Sequence, residues 1–256
     1  ICFHAALGAR AVILYDNGST DGTAALLDAG GWGAELRRID WQSFDGLNAT
    51  QGFAHSHAIA NYGRDFRWMA FIDVDEFLFP LEDPDLPTAL ARFAGQPAVS
   101  LPWFNFGPDG HATRPPGPVT ASYGERAVFP PRPEQSALLR FKSIVDPAAV
   151  THGGTHRFGL EGYGRVLINE AGEAVDAAEA RRPGFARSEI LRLNHYFTRS
   201  EAELTAKLAK GRVSANGAMN PAAYDRRLAQ YAKATTRDDA IGRHLPGLHA
   251  AIAARR

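Results

Sequence analysis

Short apolar segments alternate with helix-like segments along the first hundred residues. Strands are predicted for the apolar segments AVILY (11–15), RWMAFI (67–72) and PAVSLPWF (97–104), and a further strand for AELRRI (34–39). Helices are predicted where apolar residues recur at helical spacing between those strands, over 23–30, 48–66 and 85–95. Strand and helix alternating at these lengths predict an α/β fold with a mostly parallel sheet flanked by helices.

The pattern changes after about residue 105. Pro- and Gly-rich stretches predict loops at FGPDGHATRPPGP (106–118) and FPPRPEQ (129–135). A mixed β region is predicted from ALLRFKSIV (137–145), RVLIN (165–169) and EILRLNHYF (189–197). From Ser200 onwards the pattern predicts helices over 200–211, 221–234 and 237–256. We therefore expect a main domain over 1–199 and a helical extension over 200–256 that packs on it.

Composition excludes some classes of protein. The 256 residues are 45% hydrophobic and 22% charged, as in ordinary globular chains. With 28 basic and 28 acidic side chains, the protein has no excess charge that would attract nucleic acid. Its one cysteine, Cys2, excludes an internal disulfide and fits a reducing compartment.

No apolar run approaches the roughly 18 residues of a membrane-spanning helix. The segment HLPGLHAAIAARR (244–256) is mildly amphipathic with a basic end, which suits a peripheral helix near lipid-linked molecules. A helix that packs on the protein explains this segment equally well, and we favour that interpretation. We expect a cytoplasmic protein, with peripheral contact at the inner membrane as the alternative.

Three acids interrupt an apolar stretch at FIDVDEFLFP (71–80). In an extended segment, Asp73 and Asp75 point to one side and Val74 and Glu76 to the other. Two neighbouring carboxylates repel each other, and a divalent cation is a simple way to compensate them. Acids at a helix N-terminus are the alternative, but EFLFP is short, apolar and closed by a proline. The segment therefore favours a site for Mn²⁺ or Mg²⁺.

Three segments together resemble the group of glycosyltransferase families 2 and 92. They are LYDNGSTDGT (14–23), FRWMAFIDVDEFLFP (66–80) and LNHYFTRSEAELTAKLAKGR (193–212). The first is similar to the nucleotide-binding loop of that group, the second to its Asp-x-Asp segment and the third to its late NHY…S…E…K…G stretch. The resemblance implies a GT-A-like, Rossmann-like fold. In that group a strand and an Asn-Glu loop come first, and this sequence begins after them, so we expect it to be part of a longer chain.

The resemblance also implies an activity, which is metal-dependent transfer of a sugar from a nucleotide diphosphate, with UDP favoured, to a glycan or lipid-linked acceptor. Asp75 would bind the metal, Asp73 would lie near the metal or the donor ribose, and His195 would approach the metal or the pyrophosphate. A cation there would stabilise the charge that grows on the leaving diphosphate, and an imidazole ligand would favour Mn²⁺ somewhat. Inversion at the sugar is implied by the resemblance alone.

Several further residues are candidates for the donor site. Asp16 follows a predicted strand and by resemblance would bind the base or ribose, but an Asx-turn explains it equally well. Lys142 and Lys207 could neutralise the pyrophosphate. For Lys207 the alternative is an ordinary helix pair with Glu203.

An inverting transferase needs a base within hydrogen-bond reach of the acceptor hydroxyl. Asp109, Glu134, His156 and Glu161 all lie in the region expected to face the acceptor. The segment THGGTHRFGLEG (151–162), which contains His156 and Glu161, is the richest in candidates. The sequence does not choose among them.

Other functions fit the sequence less well. A non-catalytic nucleotide-sugar or glycan-binding module on the same fold is the main alternative, because a fold does not determine activity. An Asp-nucleophile phosphatase is disfavoured, because no small hydroxyl residue follows the acids. Composition suggests a bacterial protein, so we expect a role in surface polysaccharide or glycolipid assembly.

Overall fold

The computed structural model describes residues 1–42, 50–131, 139–209 and 236–255. The α-helices are α1 (Cys2–Ala6), α2 (Thr23–Asp28), α3 (Thr50–Tyr62), α4 (Leu86–Ala91), α5 (Val119–Ser122), α6 (Glu201–Ala209) and α7 (Leu245–Ala253). The strands of the first half are β1 (Ala11–Asp16), β2 (Glu35–Asp40), β3 (Met69–Ala70), β4 (Glu76–Pro80), β5 (Ala98–Asn105) and β6 (Glu125–Arg126). Those of the second half are β7 (Phe141–Val145), β8 (Val150–His152), β9 (Phe158–Leu160), β10 (Gly164–Ile168), β11 (Ala174–Val175), β12 (Leu191–His195) and β13 (Thr236–Arg237). Short 3₁₀ helices lie at Gly63–Asp65, Pro147–Ala149, Glu179–Arg181 and Ala240–His244.

Most predicted elements are present where the sequence placed them. Helix α4, for example, begins where Asp85 accepts a hydrogen bond from the Thr88 backbone N–H at 2.8 Å, which caps the helix. The strand predicted over 67–72 is reduced to Met69–Ala70. The helix predicted over 221–234 lies outside the described residues.

The sheets mix parallel and antiparallel pairing. The main sheet has the strand order β3-β7-β5-β12-β4, and β1-β2, β11-β10-β9-β8 and β13-β6 form smaller sheets. Among the described strands only β1–β2 and β5–β12 run parallel. The mixed α/β class is confirmed, but the mostly parallel sheet is not found. Strand β4 follows the acidic segment directly, with no helix between them, and it pairs antiparallel with β12. Antiparallel neighbours do not need the crossover helix that joins parallel strands.

Strand β5 changes partner along its length. Its first part pairs with β7, from Ala98 to Pro102, and its last part pairs with β12, from Trp103 to Asn105. Strand β12 ends at His195, whose register partners are Asn105 on β5 and Glu76 on β4. The end of β12 is therefore held between the end of β5 and the acidic segment.

The C-terminal residues pack against the main sheet and the first helix. Helix α7 contacts α1, and Ile241 and Leu248 join the core cluster that includes Phe3 and Phe79. Asp238 pairs with Arg126 at 2.5 Å and Arg192 at 2.8 Å. The boundary expected between residues 199 and 200 stays a prediction. None of the described helices combines the length and the apolar character needed to cross a membrane.

Candidate functional site

The acidic segment forms a closed turn between β3 and β4. The Glu76 N–H donates to the Asp73 carbonyl at 3.0 Å, and the Asp73 N–H donates to Glu76 Oε2 at 2.9 Å. Because the segment is a turn, the alternation expected for an extended chain does not hold. Val74 at its tip is 84% exposed, whereas Glu76 is buried.

Asp73 and Glu76 converge on one buried lysine. Lys142 extends from β7, and its side chain is only 2% exposed. Its Nζ lies 3.1 Å from Asp73 Oδ2 and 3.8 Å from Glu76 Oε1. Burial raises the pKa of Glu76 to about 8, although the Lys142 charge opposes that shift. Asp73 also accepts a hydrogen bond from Gln51 Nε2 at 2.8 Å, which leaves this carboxylate well neutralised.

Asp75 turns the other way, towards β12 and α6. Its Oδ1 lies 3.6 Å from His195 Nε2, and its Oδ2 accepts from Lys207 Nζ at 2.7 Å. Burial opposes ionisation of Asp75, but the neighbouring His195 ring and the charge of Lys207 outweigh it and lower the pKa of Asp75. The Asp75 carbonyl accepts from the Tyr196 N–H at 2.9 Å, which fixes the turn to the end of β12.

The His195 ring is oriented by its neighbours on β5. Its Nδ1 lies 3.0 Å from Asn105 Oδ1, so Nδ1 donates to that oxygen and Nε2 is left facing Asp75. The Trp103 ring packs on the imidazole with 4.3 Å between ring centroids. A histidine whose second ring nitrogen donates to an oxygen is the usual arrangement of a metal ligand.

The pair formed by Asp75 and His195 suits a divalent cation. Two neighbouring ligands of an octahedral ion with bonds of about 2.1 Å lie about 3 Å apart. The 3.6 Å between Asp75 Oδ1 and His195 Nε2 would have to shorten by about half an ångström to match that spacing. The Lys207 ammonium on the same carboxylate shows that this position favours a cation. Within the described ranges no cluster of three or more His, Cys, Asp or Glu side chains could hold a metal. The three expected ligands are therefore not gathered, because Asp73 turns to Lys142.

Of the base candidates in the described residues, His156 lies nearest to the pair of Asp75 and His195. Its ring lies 5.6 Å, between centroids, from Trp103, on whose ring His195 also packs. Its Nδ1 donates to the Phe141 carbonyl at 2.9 Å, which leaves Nε2 as the acceptor nitrogen. Burial, helped by the Lys142 charge, lowers the pKa of His156 and favours the neutral ring.

Asp109 and Glu161, the other base candidates in the described part of the chain, belong to a loop and a turn away from the pair of Asp75 and His195. Asp109 accepts from the Gly124 N–H at 2.8 Å and pairs with Arg237 at 3.2 Å, so its carboxylate closes a loop. Glu161 is exposed at the turn between β9 and β10. Glu134 lies outside the described residues.

Asp16 closes the turn that follows β1. Its Oδ1 accepts from the Ser19 N–H, three residues on, at 2.9 Å, and its Oδ2 lies 3.5 Å from Arg38 Nη1. The hydrogen bonds from Ser19, more than the Arg38 charge, lower the pKa of Asp16. The carboxylate thus closes its own turn, although not by the bond to the second residue on that defines an Asx-turn, and the donor-binding role stays a prediction.

Sequence reasoning missed three residues that shape the site: Asn105, Trp103 and Gln51. Asn105 ends a strand that is otherwise mainly apolar, which is the same signal that pointed to the acids. Trp103 resembles a core residue in the sequence, and Gln51 lies on a helix facing the turn. Neither carries a local pattern that identifies its role.

Comparison with known proteins assigns the chain to a family. The family model for glycosyltransferase family 92 matches residues 1–173, which is more than half of the chain. The chain belongs to glycosyltransferase family 92. The match covers the nucleotide-binding-like loop and the acidic turn, whereas His195 and Lys207 lie beyond it.

Two curated family 92 proteins are similar to this chain. One, from Oryza sativa subsp. japonica, is 30% identical over 186 residues, which cover 66% of this chain and 30% of the relative. The other, from Ricinus communis, is 28% identical over 192 residues, covering 69% of this chain and 31% of the relative. The chain thus spans about a third of the length of these relatives. Both are plant proteins, so they lend no support to the bacterial setting, which stays a prediction.

Proposed function

We propose that this family 92 chain carries the donor site of a metal-dependent, inverting hexosyltransferase with a GT-A-like arrangement. The donor would be a nucleotide-diphosphate sugar, with a UDP-sugar favoured, and the acceptor a glycan or a lipid-linked glycan. The observation that carries the proposal is the pairing of Asp75 with His195, 3.6 Å apart at the closed acidic turn. Family membership supports sugar transfer, and the carboxylate of Asp75 beside the imidazole of His195 supports binding of a cation.

Asp75 and His195 would hold the cation, with diphosphate oxygens and water as the remaining ligands, as is usual for Mn²⁺ and Mg²⁺. When bound, the cation would neutralise the negative charge that grows on the leaving diphosphate. Asn105 keeps Nε2 of His195 directed at Asp75. Lys142 holds Asp73 and the base of the turn in place, and its buried ammonium would add positive potential to the donor site.

Among the base candidates, His156 fits best. A general base must be unprotonated at the working pH, and burial keeps the His156 ring neutral. Its Nδ1 is occupied by the Phe141 carbonyl, so Nε2 would accept the proton of the acceptor hydroxyl. Trp103 lies between His156 and His195 and would form a common wall for the sugar and the acceptor.

Calorimetric titration with UDP and GDP tests the donor site. Each nucleotide is titrated with Mn²⁺ and again with EDTA, into the wild type, Asp75→Asn and Asp40→Asn. Asp40, whose side chain is 81% exposed, is the matched control for loss of one carboxylate. We expect Mn²⁺-dependent binding of UDP that falls at least about 100-fold in Asp75→Asn and persists in the control. Equal affinities in Asp75→Asn and the wild type would contradict the proposal.

Turnover separates a transferase from a binding module. UDP release from UDP-hexoses, measured with and without glycan acceptors, should depend on Mn²⁺ and fall in His156→Gln while UDP affinity is retained. Tight donor binding without turnover, for every donor and acceptor tested, would favour the non-catalytic alternative.

A further inference from the structure

Lys207 is the more exposed of the two lysines at the site. It extends from α6 and its side chain is 40% exposed, whereas that of Lys142 is 2% exposed and lies between Asp73 and Glu76. Lys207 Nζ also donates to the Phe197 carbonyl at 3.3 Å and lies 3.8 Å from the centroid of the Phe197 ring. These two contacts would keep the ammonium near the site if its bond to Asp75 were broken.

The Lys207 ammonium competes with any cation that uses Asp75. It already neutralises Asp75 Oδ2 at 2.7 Å, on a carboxylate that is only 8% exposed. A divalent ion bound between Asp75 and His195 would stand within a few ångströms of that ammonium and repel it. The lysine has a flexible four-carbon chain and a partly exposed head, so it can yield.

We propose that Lys207 is an exchangeable counter-ion, a positioning residue that holds Asp75 before the donor binds and then transfers to the donor. In the free protein its ammonium pairs with the buried Asp75 carboxylate and occupies the side of it that a cation would use. When a divalent cation arrives with a nucleoside diphosphate, Lys207 leaves Asp75 and pairs with a diphosphate oxygen. This inference rests on the proposed function and adds an order of binding to it. A cation that binds alone must compete with the Lys207 ammonium for Asp75, whereas a cation that arrives with a diphosphate gives that ammonium a new partner.

The exchange has a signature that a merely structural lysine would not give. Removing the ammonium should strengthen binding of the metal alone and weaken binding of the nucleotide in the presence of metal. A lysine that only stabilises the fold would move both affinities down, or neither. An ammonium that only binds phosphate would leave the affinity for metal alone unchanged.

The test first measures the affinity for Mn²⁺ alone, from the signal of free Mn²⁺ in electron paramagnetic resonance. It then measures the affinity for UDP at saturating Mn²⁺ by calorimetry. The proteins are the wild type, Lys207→Met and Lys207→Arg. In Lys207→Met we expect Mn²⁺ alone to bind about fivefold tighter and UDP about fivefold more weakly, the size expected for one partly exposed ion pair. Lys207→Arg keeps the charge and should follow the wild type in both measurements.

Arg199→Gln is the control for general electrostatics. It removes one positive charge just before α6, where Arg199 pairs with Glu203 at 3.5 Å. We expect both affinities to match the wild type. Equal tightening of Mn²⁺ in Arg199→Gln and Lys207→Met would overturn the exchange, since loss of any nearby charge would then suffice.

The remaining outcomes separate the inference from the proposed function. If the wild type binds UDP with Mn²⁺ but Lys207→Met binds Mn²⁺ alone no more tightly, the exchange is wrong and the donor site stands. If none of the proteins binds Mn²⁺ or UDP, the donor site is wrong and the exchange falls with it. Circular dichroism of each variant confirms that the fold is intact.

Discussion

Two turns in this molecule begin with the same sequence signal and end in different chemistry. In each, aspartate follows an apolar segment, at Asp16 after β1 and at Asp73 and Asp75 after β3. One carboxylate oxygen of Asp16 accepts a hydrogen bond from the Ser19 N–H within its own turn. The carboxylates of the second turn instead meet Lys142, His195 and Lys207, which come from β7, β12 and α6.

The difference shows what turns an acidic turn into a candidate site. The second turn is closed by a different residue, Glu76, whose carboxylate accepts from the Asp73 N–H. The carboxylates of Asp73 and Asp75 are therefore available to other groups. Those carboxylates are then neutralised by side chains from distant segments, at a cost in desolvation that a mere turn would not incur. In the first turn the bond to Ser19 closes the turn, and the second carboxylate oxygen faces Arg38 on the neighbouring strand. Three substitutions can break or sharpen this contrast.

The largest effect is expected for Lys142→Met. Its ammonium is buried between Asp73 and Glu76, and removing one partner of a buried ion pair leaves an uncompensated charge. We expect a loss of about 3 kcal/mol in the free energy of unfolding, at the lower end of the usual range. The lower end applies because burial raises the pKa of Glu76 to about 8 and lets that carboxyl hold a proton at neutral pH.

Urea unfolding of Lys142→Met and Arg38→Met measures this contrast. Arg38 faces Asp16 and also pairs with the exposed Asp28 and Asp40, so its loss should cost much less than the loss of the buried Lys142. The double variant Lys142→Met/Glu76→Gln should cost about as much as Lys142→Met, because the amide still accepts from the Asp73 N–H and Glu76 already holds a proton at neutral pH. Equal losses in the two single variants would show that the second turn is no more strongly coupled than the first.

Next in size is Asn105→Ala, which removes the acceptor behind His195. The ring would lose the hydrogen bond that keeps Nε2 directed at Asp75. Supporting partners of this kind typically change metal affinity by 10- to 100-fold, and we expect Mn²⁺ to bind about tenfold more weakly. Asn61→Ala removes an exposed amide that donates to the His57 carbonyl and serves as the control. Unchanged Mn²⁺ affinity in Asn105→Ala would argue against His195 as a ligand.

Local patterns predicted much of the fold but not how its strands pair. Apolar runs located β1, β5 and β12 to within a few residues, because a strand in a sheet packs apolar side chains whichever way its neighbour runs. Strand direction is set by connections and by distant pairing. Strand β5, which pairs antiparallel with one neighbour and parallel with the next, has no mark of that change in its sequence.

The site followed the same rule. The acids were found because charged residues that interrupt an apolar stretch stand out locally, whereas His195 was named by the resemblance of its segment to the glycosyltransferase group. That Asp73 turns to Lys142 while Asp75 turns to His195 and Lys207 could not be predicted, because it depends on side chains that are dozens of residues away. Asn105 carried the same local signal and was overlooked, whereas Trp103 carried none.

The smallest effect is expected for Asp16→Asn. Asparagine keeps an oxygen that can accept from the Ser19 N–H, so the turn after β1 should survive while the charge facing Arg38 is lost. We expect UDP affinity at saturating Mn²⁺ to change by no more than about twofold, the size of an ordinary surface substitution. Asp16→Ala, which also removes the turn acceptor, separates loss of the turn from loss of the charge. A loss of tenfold or more in Asp16→Asn would mean that the carboxylate itself contacts the donor, and the two turns would then serve one site despite their different local chemistry.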